Sequence, residues 1–212
     1  MRSEICIFRL SGSTMQPLWE ELLFSKSDLQ SAFRQLPIRK EDLDLLGLKH
    51  QGLYYLDLCL PFGVSIACRV FETFSTALHW KVGQLIADIL VHYLDDFHFG
   101  GSTWESCVLK LDTFREVCDT IGFPISEDKT VGPTQKLVFL GLGLNTITQT
   151  VSIPEDKVRK AMKAITDFLS RKKAKLKMIQ SVTGLLNFFN QAIRGGKTIP
   201  QTVVRFTIDS RH

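Results

Sequence analysis

The chain has 212 residues, 44% of them hydrophobic, with a formal net charge of +4. That length and apolar content support one large domain, or one domain with an appendage, around a true core, and they exclude a disordered or collagen-like chain. Cysteines at 6, 59, 68, 107 and 118 form no CxxC pair or zinc-finger spacing, and an odd number suits reduced thiols in the cytosol or nucleus better than a disulfide framework. Charges scattered through residues 1–24 leave neither a signal peptide nor the roughly 20 apolar residues that a membrane span requires, so the protein is expected inside the cell.

In chain order, Phe24 to Leu29 reads as a strand and Leu46 to Leu60 as a hairpin turning near Gln51-Gly52. A helical stripe follows on Ile66, Val70, Phe71, Phe74, Ala77 and Leu78. Ile89 to Phe99 reads as two strands around a tight turn. The next stripe, Trp104, Val108, Leu111, Phe114, Cys118 and Ile121, starts behind Ser102-Thr103-Trp104-Glu105, whose serine and glutamate fit a capping box. Val138 to Leu144 and Thr148 to Ile153 suggest a further hairpin. Strands interrupted by helices and closed by a hairpin describe an α+β fold with helices on one sheet face.

From Pro154 the pattern is helical. Glu155 and Asp156 suit a helix start, and Val158, Met162, Ile165 and Leu169 form its stripe. A basic loop over residues 171–175 leads to a second stripe on Leu176, Ile179, Val182, Leu186 and Phe189, and a frayed tail is expected from about Gly195. Charge divides at the same place. Residues 1–154 hold 13 Lys+Arg against 18 Asp+Glu, whereas residues 155–212 hold 13 against 4. A basic end behind an acidic body suits a nucleic-acid backbone contact; a solvated helix face is the alternative.

The most informative stretch is Val91 through Phe99, where Asp95 and Asp96 sit between two apolar β-forming runs. Adjacent carboxylates at a strand turn resist ionising together unless a cation compensates, although an exposed Asp-Asp turn is the plainer reading. Asp28 stands at the end of the upstream strand. Together the three acids could supply oxygen ligands to two Mg²⁺ ions roughly 3.5 to 4 Å apart, as in polymerases.

These residues resemble reverse transcriptases. Tyr93-Leu94-Asp95-Asp96 matches their YxDD box, and Asp28 through Phe33 their first palm motif. Leu60 through Ser65 resembles the LPxG segment, Ile121 through Ile125 with Lys129 the motif whose lysine approaches the pyrophosphate, and Phe139-Leu140-Gly141 the primer-grip hairpin. The longer stretches LPFGVSIACRVFETFSTALHW, ISEDKTVGPTQKLVFLG and IPEDKVRKAMKAITDFLSRKKAKLKMIQSVTGLLNF are similar to the tyrosine-recombinase (DIRS-type) retrotransposon branch.

The resemblance implies a palm over residues 23–153 and a thumb-like helical hairpin over 154–195, with 1–22 a leader or remnant of the fingers and 196–212 a frayed tail. It implies RNA-directed DNA polymerase activity with two Mg²⁺ or Mn²⁺ ions held by Asp28, Asp95 and Asp96. Lys129 would protonate the leaving pyrophosphate, or else is a solvated lysine. Leu29, Phe33, Pro61, Phe62, Gly63, Tyr93, Leu140 and Gly141 would meet nucleotide or primer. Phe33 would block a 2′-hydroxyl and so favour deoxynucleoside triphosphates; an apolar core phenylalanine is the competing reading. Lys172, Lys173, Lys175 and Lys177 would touch the phosphates of an RNA template and DNA primer. His92 and His98 read as packing or surface residues and not as ligands.

The same resemblance leads one to expect an extended fingers region, and ribonuclease H and recombinase domains in a full-length element, for which the chain leaves no length. A catalytically silent palm–thumb remnant that only binds duplex nucleic acid is therefore the alternative function.

Overall fold

The computed structural model describes residues 5–6, 22–86, 89–171, 173–190 and 192. In chain order these form β1 (Ile5–Cys6), β2 (Leu23–Asp28), β3 (Gly47–His50), β4 (Leu53–Leu56), α1 (Ala67–Gly83), β5 (Leu90–Tyr93), β6 (Asp96–Gly101), α2 (Trp104–Thr120), β7 (Val131–Thr134), β8 (Lys136–Phe139), β9 (Leu142–Asn145), β10 (Thr150–Ser152), α3 (Glu155–Leu169) and α4 (Leu176–Phe189). Short 3-10 helices lie at Ala32–Gln35, Lys40–Leu46 and Glu127–Lys129. The fold is α+β, with antiparallel sheets and helices. It divides into two compact units, Leu22–Thr134 and the residues from Gln135 onward with β1.

The first unit is built on the antiparallel sheet β5-β6-β2-β7. Strand alternation gives its two faces different jobs. Ser25 opposes Phe99, and Ser27 opposes Phe97, on the face that α1 and α2 cover. There Phe114 of α2 meets Phe97 at 4.7 Å and Phe99 at 5.3 Å, and Phe71 of α1 completes the cluster. Phe71, Phe97, Phe99 and Phe114 are wholly buried, and each contributes roughly 1.5–3 kcal/mol of hydrophobic stabilisation. The serines are small enough for α2 to come close, and Ser25 Oγ lies 3.3 Å from Cys107 Sγ. A Cβ on Gly101 would sit 3.1 Å from the Cys107 backbone nitrogen, so that glycine permits the approach. Burial raises the thiols of Cys107 and Cys118, the latter to about 12, which keeps both inert. Phe24, Lys26, Asp28, Asp96 and His98 lie on the opposite face.

Several helix details differ from the sequence expectations. In α1 the buried positions are Ala67, Phe71, Ser75, Leu78 and Val82, while Ile66, Val70 and Ala77 face outward. Of the expected second stripe Trp104 and Ile121 are exposed, and Lys110 of α2 is buried because its ammonium donates to the Gly100 carbonyl at 2.5 Å. The cap of α2 is Thr103, whose hydroxyl accepts from Ser106 N–H at 3.1 Å; no serine–glutamate box forms. The hairpin β3/β4 turns at Gln51 and Gly52, both at positive φ, as a two-residue loop of type I′ demands.

In the second unit β8, β9 and β10 form a meander that β1 extends, giving the order β1-β10-β9-β8. The expected hairpin is thus three strands long, and β7 was not expected at all. α3 packs with α4, with Lys157 Nζ 4.7 Å over the Phe188 ring; Ala161 and Val182 are their buried residues, while Val158, Met162 and Leu169 of the expected stripe are exposed. No helix among the described residues is long and apolar enough to cross a membrane.

Candidate active site

The turn between β5 and β6 brings together acids that are far apart in sequence. Tyr93 pairs with Asp96, which leaves Leu94 and Asp95 as the two central turn residues. On the neighbouring strand Asp96 stands directly opposite Asp28. The Leu29 N–H donates to the Asp95 carbonyl at 3.0 Å, and the Ser126 N–H donates to the Asp28 carbonyl at 2.7 Å. Three chain segments are therefore stitched at one end of the sheet.

Asp28 is 8% exposed, and its Oδ1 accepts from Lys129 Nζ at 2.8 Å and from Ser126 Oγ at 3.3 Å. Burial and then the Asp28 charge hold the Asp95 carboxyl above its ordinary value, and burial, Asp28 and Asp95 do the same for Asp96. The hydrogen bond from Lys129 to Asp28 and the charge on that carboxylate raise the lysine. The site is an acidic cluster whose partial counter-charges are the ammonium of Lys129 at Asp28 and, toward Asp96, that of Lys26.

Hard oxygen donors that repel one another suit a divalent cation, and in that respect Asp28, Asp95 and Asp96 fit Mg²⁺ or Mn²⁺. Among the described residues, however, no three His, Cys, Asp or Glu side chains converge into a ready-made metal shell. Lys129 takes up part of the space around Asp28 that a cation would compete for.

The other candidate residues fall into distinct environments. Leu29 is 1% exposed and belongs to the core, so only its backbone reaches the acidic end. Phe33 is also a core residue, stacked on Phe71 at 4.6 Å, yet its ring touches Phe62 at 5.3 Å. Phe62 is 73% exposed, Pro61 is half-buried, and Gly63 turns the chain at φ +89°. Tyr93 is exposed beside Asp96.

Leu140 and Gly141, both at positive φ, form the two-residue turn of β8/β9 in the second unit. Lys173, Lys175 and Lys177 are exposed between α3 and the first turn of α4, and Lys172 lies outside the described residues. His98 is buried rather than a surface residue, and burial lowers its pKa to about 4. Ser126, which grips Asp28 through side chain and backbone, was not anticipated; Ser-Glu-Asp-Lys reads locally as an ordinary polar turn.

Comparison with known proteins bears on the family and the fold. Residues 1–144 match the family model described as reverse transcriptase (RNA-dependent DNA polymerase). The chain is 23% identical over 164 residues, 77% of its length, to a putative enzymatic polyprotein of Cassava vein mosaic virus, of which it covers 24%. Its fold is similar to a foamy viral protease-reverse transcriptase in complex with double-stranded DNA, with TM-score 0.69, 18% identity, and coverage of 97% of this chain and 34% of that one. A second foamy viral protease-reverse transcriptase, in complex with an RNA/DNA hybrid, aligns with TM-score 0.63 and 21% identity over 85% of this chain and 24% of that one. The chain thus spans about a quarter to a third of each of these three relatives.

Proposed function

Because the chain belongs to the reverse transcriptase (RNA-dependent DNA polymerase) family, we propose that it carries the palm and thumb-like part of an enzyme that adds deoxynucleotides to a DNA primer on an RNA template. The observation that supports this most is the register that sets Asp28 against Asp96, with Asp95 in the adjoining turn. Asp28, Asp95 and Asp96 would hold two Mg²⁺ or Mn²⁺ ions. Bound there, the ions supply charge compensation for the attacking and leaving oxygens.

In the reaction the primer 3′-hydroxyl attacks the α-phosphorus of a deoxynucleoside triphosphate, and the bond to pyrophosphate breaks. Lys129 is within reach of the acids and protonated, which suits it to neutralise or protonate the departing pyrophosphate. Phe33 with Phe62, Pro61 and Gly63 would bound the nucleotide, and Phe33 would exclude a 2′-hydroxyl. Tyr93, Leu140 and Gly141 would meet the primer. Lys172, Lys173, Lys175 and Lys177 would contact phosphates of the duplex.

Within the family we place the chain in the tyrosine-recombinase (DIRS-type) retrotransposon branch, on the strength of the long stretches around residues 60–80, 125–141 and 153–188. Ribonuclease H and recombinase domains would accompany it in a full-length element. Free Cys59, Cys68, Cys107 and Cys118 suit a cytoplasmic or nuclear location.

A second reading, a silent palm–thumb that binds duplex without extending it, is favoured by two observations: Lys129 already pairs with Asp28, and no three acidic or imidazole ligands converge among the described residues. Extension of oligo(dT) on poly(rA) by the purified chain, with Mg²⁺ or Mn²⁺ and beside the Asp95→Asn, Asp96→Asn double variant, separates the two. Extension by the parent alone supports the polymerase. Salt-sensitive duplex binding by both, with extension by neither, supports the silent reading.

A further inference from the structure

α1 presents Glu72 to the acidic turn and His79 to β5. Glu72 Oε2 accepts a hydrogen bond from the Leu94 backbone N–H at 3.3 Å, and Glu72 Oε1 lies 3.2 Å from His92 Nε2 without hydrogen-bond geometry. His92 Nδ1 is 2.8 Å from His79 Nδ1, and the His92 ring stacks against Phe97 at 5.4 Å. Glu72 and His79 are two helical turns apart and so share a face of α1, the face toward β5. His92 is thus clasped between an aromatic core residue and two side chains of one helix.

The residue held by Glu72 is an unusual one. Leu94 is the first central residue of the turn and lies at φ +53°, where a leucine is strained. Strain of this kind persists only where surrounding structure over-determines it. Because Leu94 lies between the paired residues Tyr93 and Asp96, its N–H is outside the strand ladder, and Glu72 supplies its acceptor.

We propose that Glu72 is a positioning residue for nucleotidyl transfer: by holding the Leu94 N–H, beside a His92 ring that His79 holds, it fixes the turn that aims Asp95 and Asp96. The proposal rests on the polymerase reading for its consequence, but the grip itself is measurable without catalysis. Glu72 reaches the acids only through the turn backbone. It therefore governs how often the turn is in the productive geometry, and leaves nucleotide contacts untouched.

The test is amide hydrogen exchange at Leu94, followed by NMR on the whole chain, with primer-extension kinetics on the same preparations. In the parent the Leu94 amide exchanges at least about tenfold slower than in an unstructured peptide, although it is a turn residue. Glu72→Ala speeds it about tenfold and lowers kcat by a similar factor with the nucleotide KM unchanged, while Glu72→Gln, which keeps an acceptor oxygen, restores both. An unprotected Leu94 amide in the parent overturns the proposal without any variant, which covers the case of an unfolded Glu72→Ala. Exchange that speeds up while kcat of an active parent stays constant also overturns it. A parent that extends no primer counts against the polymerase reading, and Leu94 exchange still decides whether Glu72 holds the turn.

Discussion

Asp96 faces Asp28 across the β2–β6 ladder, and the ammonium that partly neutralises this pair belongs to Lys129, 2.8 Å from Asp28 Oδ1. Like charges opposed on one sheet face destabilise it. Raised carboxyls, as at Asp95 and Asp96, contribute stability that is complete below the unfolded value near 3.8 and is lost as pH rises through their higher folded values. At neutral pH the fold therefore carries the cost of this repulsion.

Relief of that cost by a cation is the first prediction. At neutral pH, Mg²⁺ or Mn²⁺ at about ten times its Kd stabilises the parent by ~1.4 kcal/mol. The Asp95→Asn, Asp96→Asn variant is more stable than the parent without metal and gains nothing from it. Thermal unfolding with and without the ion reads both effects.

Lys129 is more than half exposed, so its pair with Asp28 adds little to the fold. Lys129→Met shifts stability by less than about 1 kcal/mol. Primer extension by the same variant falls about 10²-fold, the usual contribution of a positioned proton donor. Denaturant titration beside extension rates separates the two.

Burial sets His98 apart from an ordinary imidazole, with its pKa lowered to about 4. A depressed base favours the fold when neutral, so its contribution is complete above about 6.5 and is lost as pH falls from there to about 4. The loss is roughly 3 kcal/mol over that window. Urea midpoints between pH 7 and 4 fall steeply for the parent and more gently for His98→Gln.

In the second unit, Gly141 lies at φ +79°, and a Cβ there would collide with Lys157 Nζ. Gly141→Ala costs at least ~1 kcal/mol from the backbone alone. Adding Lys157→Ala recovers only the steric part, since the left-handed φ stays. A double-mutant cycle on unfolding free energies measures the difference.

Much of this was legible in the sequence. The alternation through Val91–Phe99 and the paired acids between apolar runs located the β5–β6 turn, and Gln51-Gly52 located the β3–β4 turn. Faces of helices were less legible, because large apolar residues such as Val70, Trp80 and Met162 stay exposed while Ser75, Lys110 and Ala161 are buried. Lys110, for one, is buried by a hydrogen bond to the Gly100 carbonyl and not by hydrophobicity. Ser126, Glu72 and His79 carry no local signal, since their partners are Asp28, Leu94 and His92, 98, 22 and 13 residues away. Phe33 could be read either as core or as a nucleotide contact, and its ring in fact joins the core stack to exposed Phe62.

The most direct test of the central claim is release of pyrophosphate coupled to single-nucleotide addition, measured with the purified chain, dTTP, Mg²⁺ and primed poly(rA), for the parent and for Asp28→Asn. The acidic cluster predicts one pyrophosphate per nucleotide added by the parent, and a loss of more than about 10²-fold in Asp28→Asn with duplex binding intact. Equal rates in parent and variant would contradict it, because the carboxylate that faces Asp96 would then have no part in the chemistry.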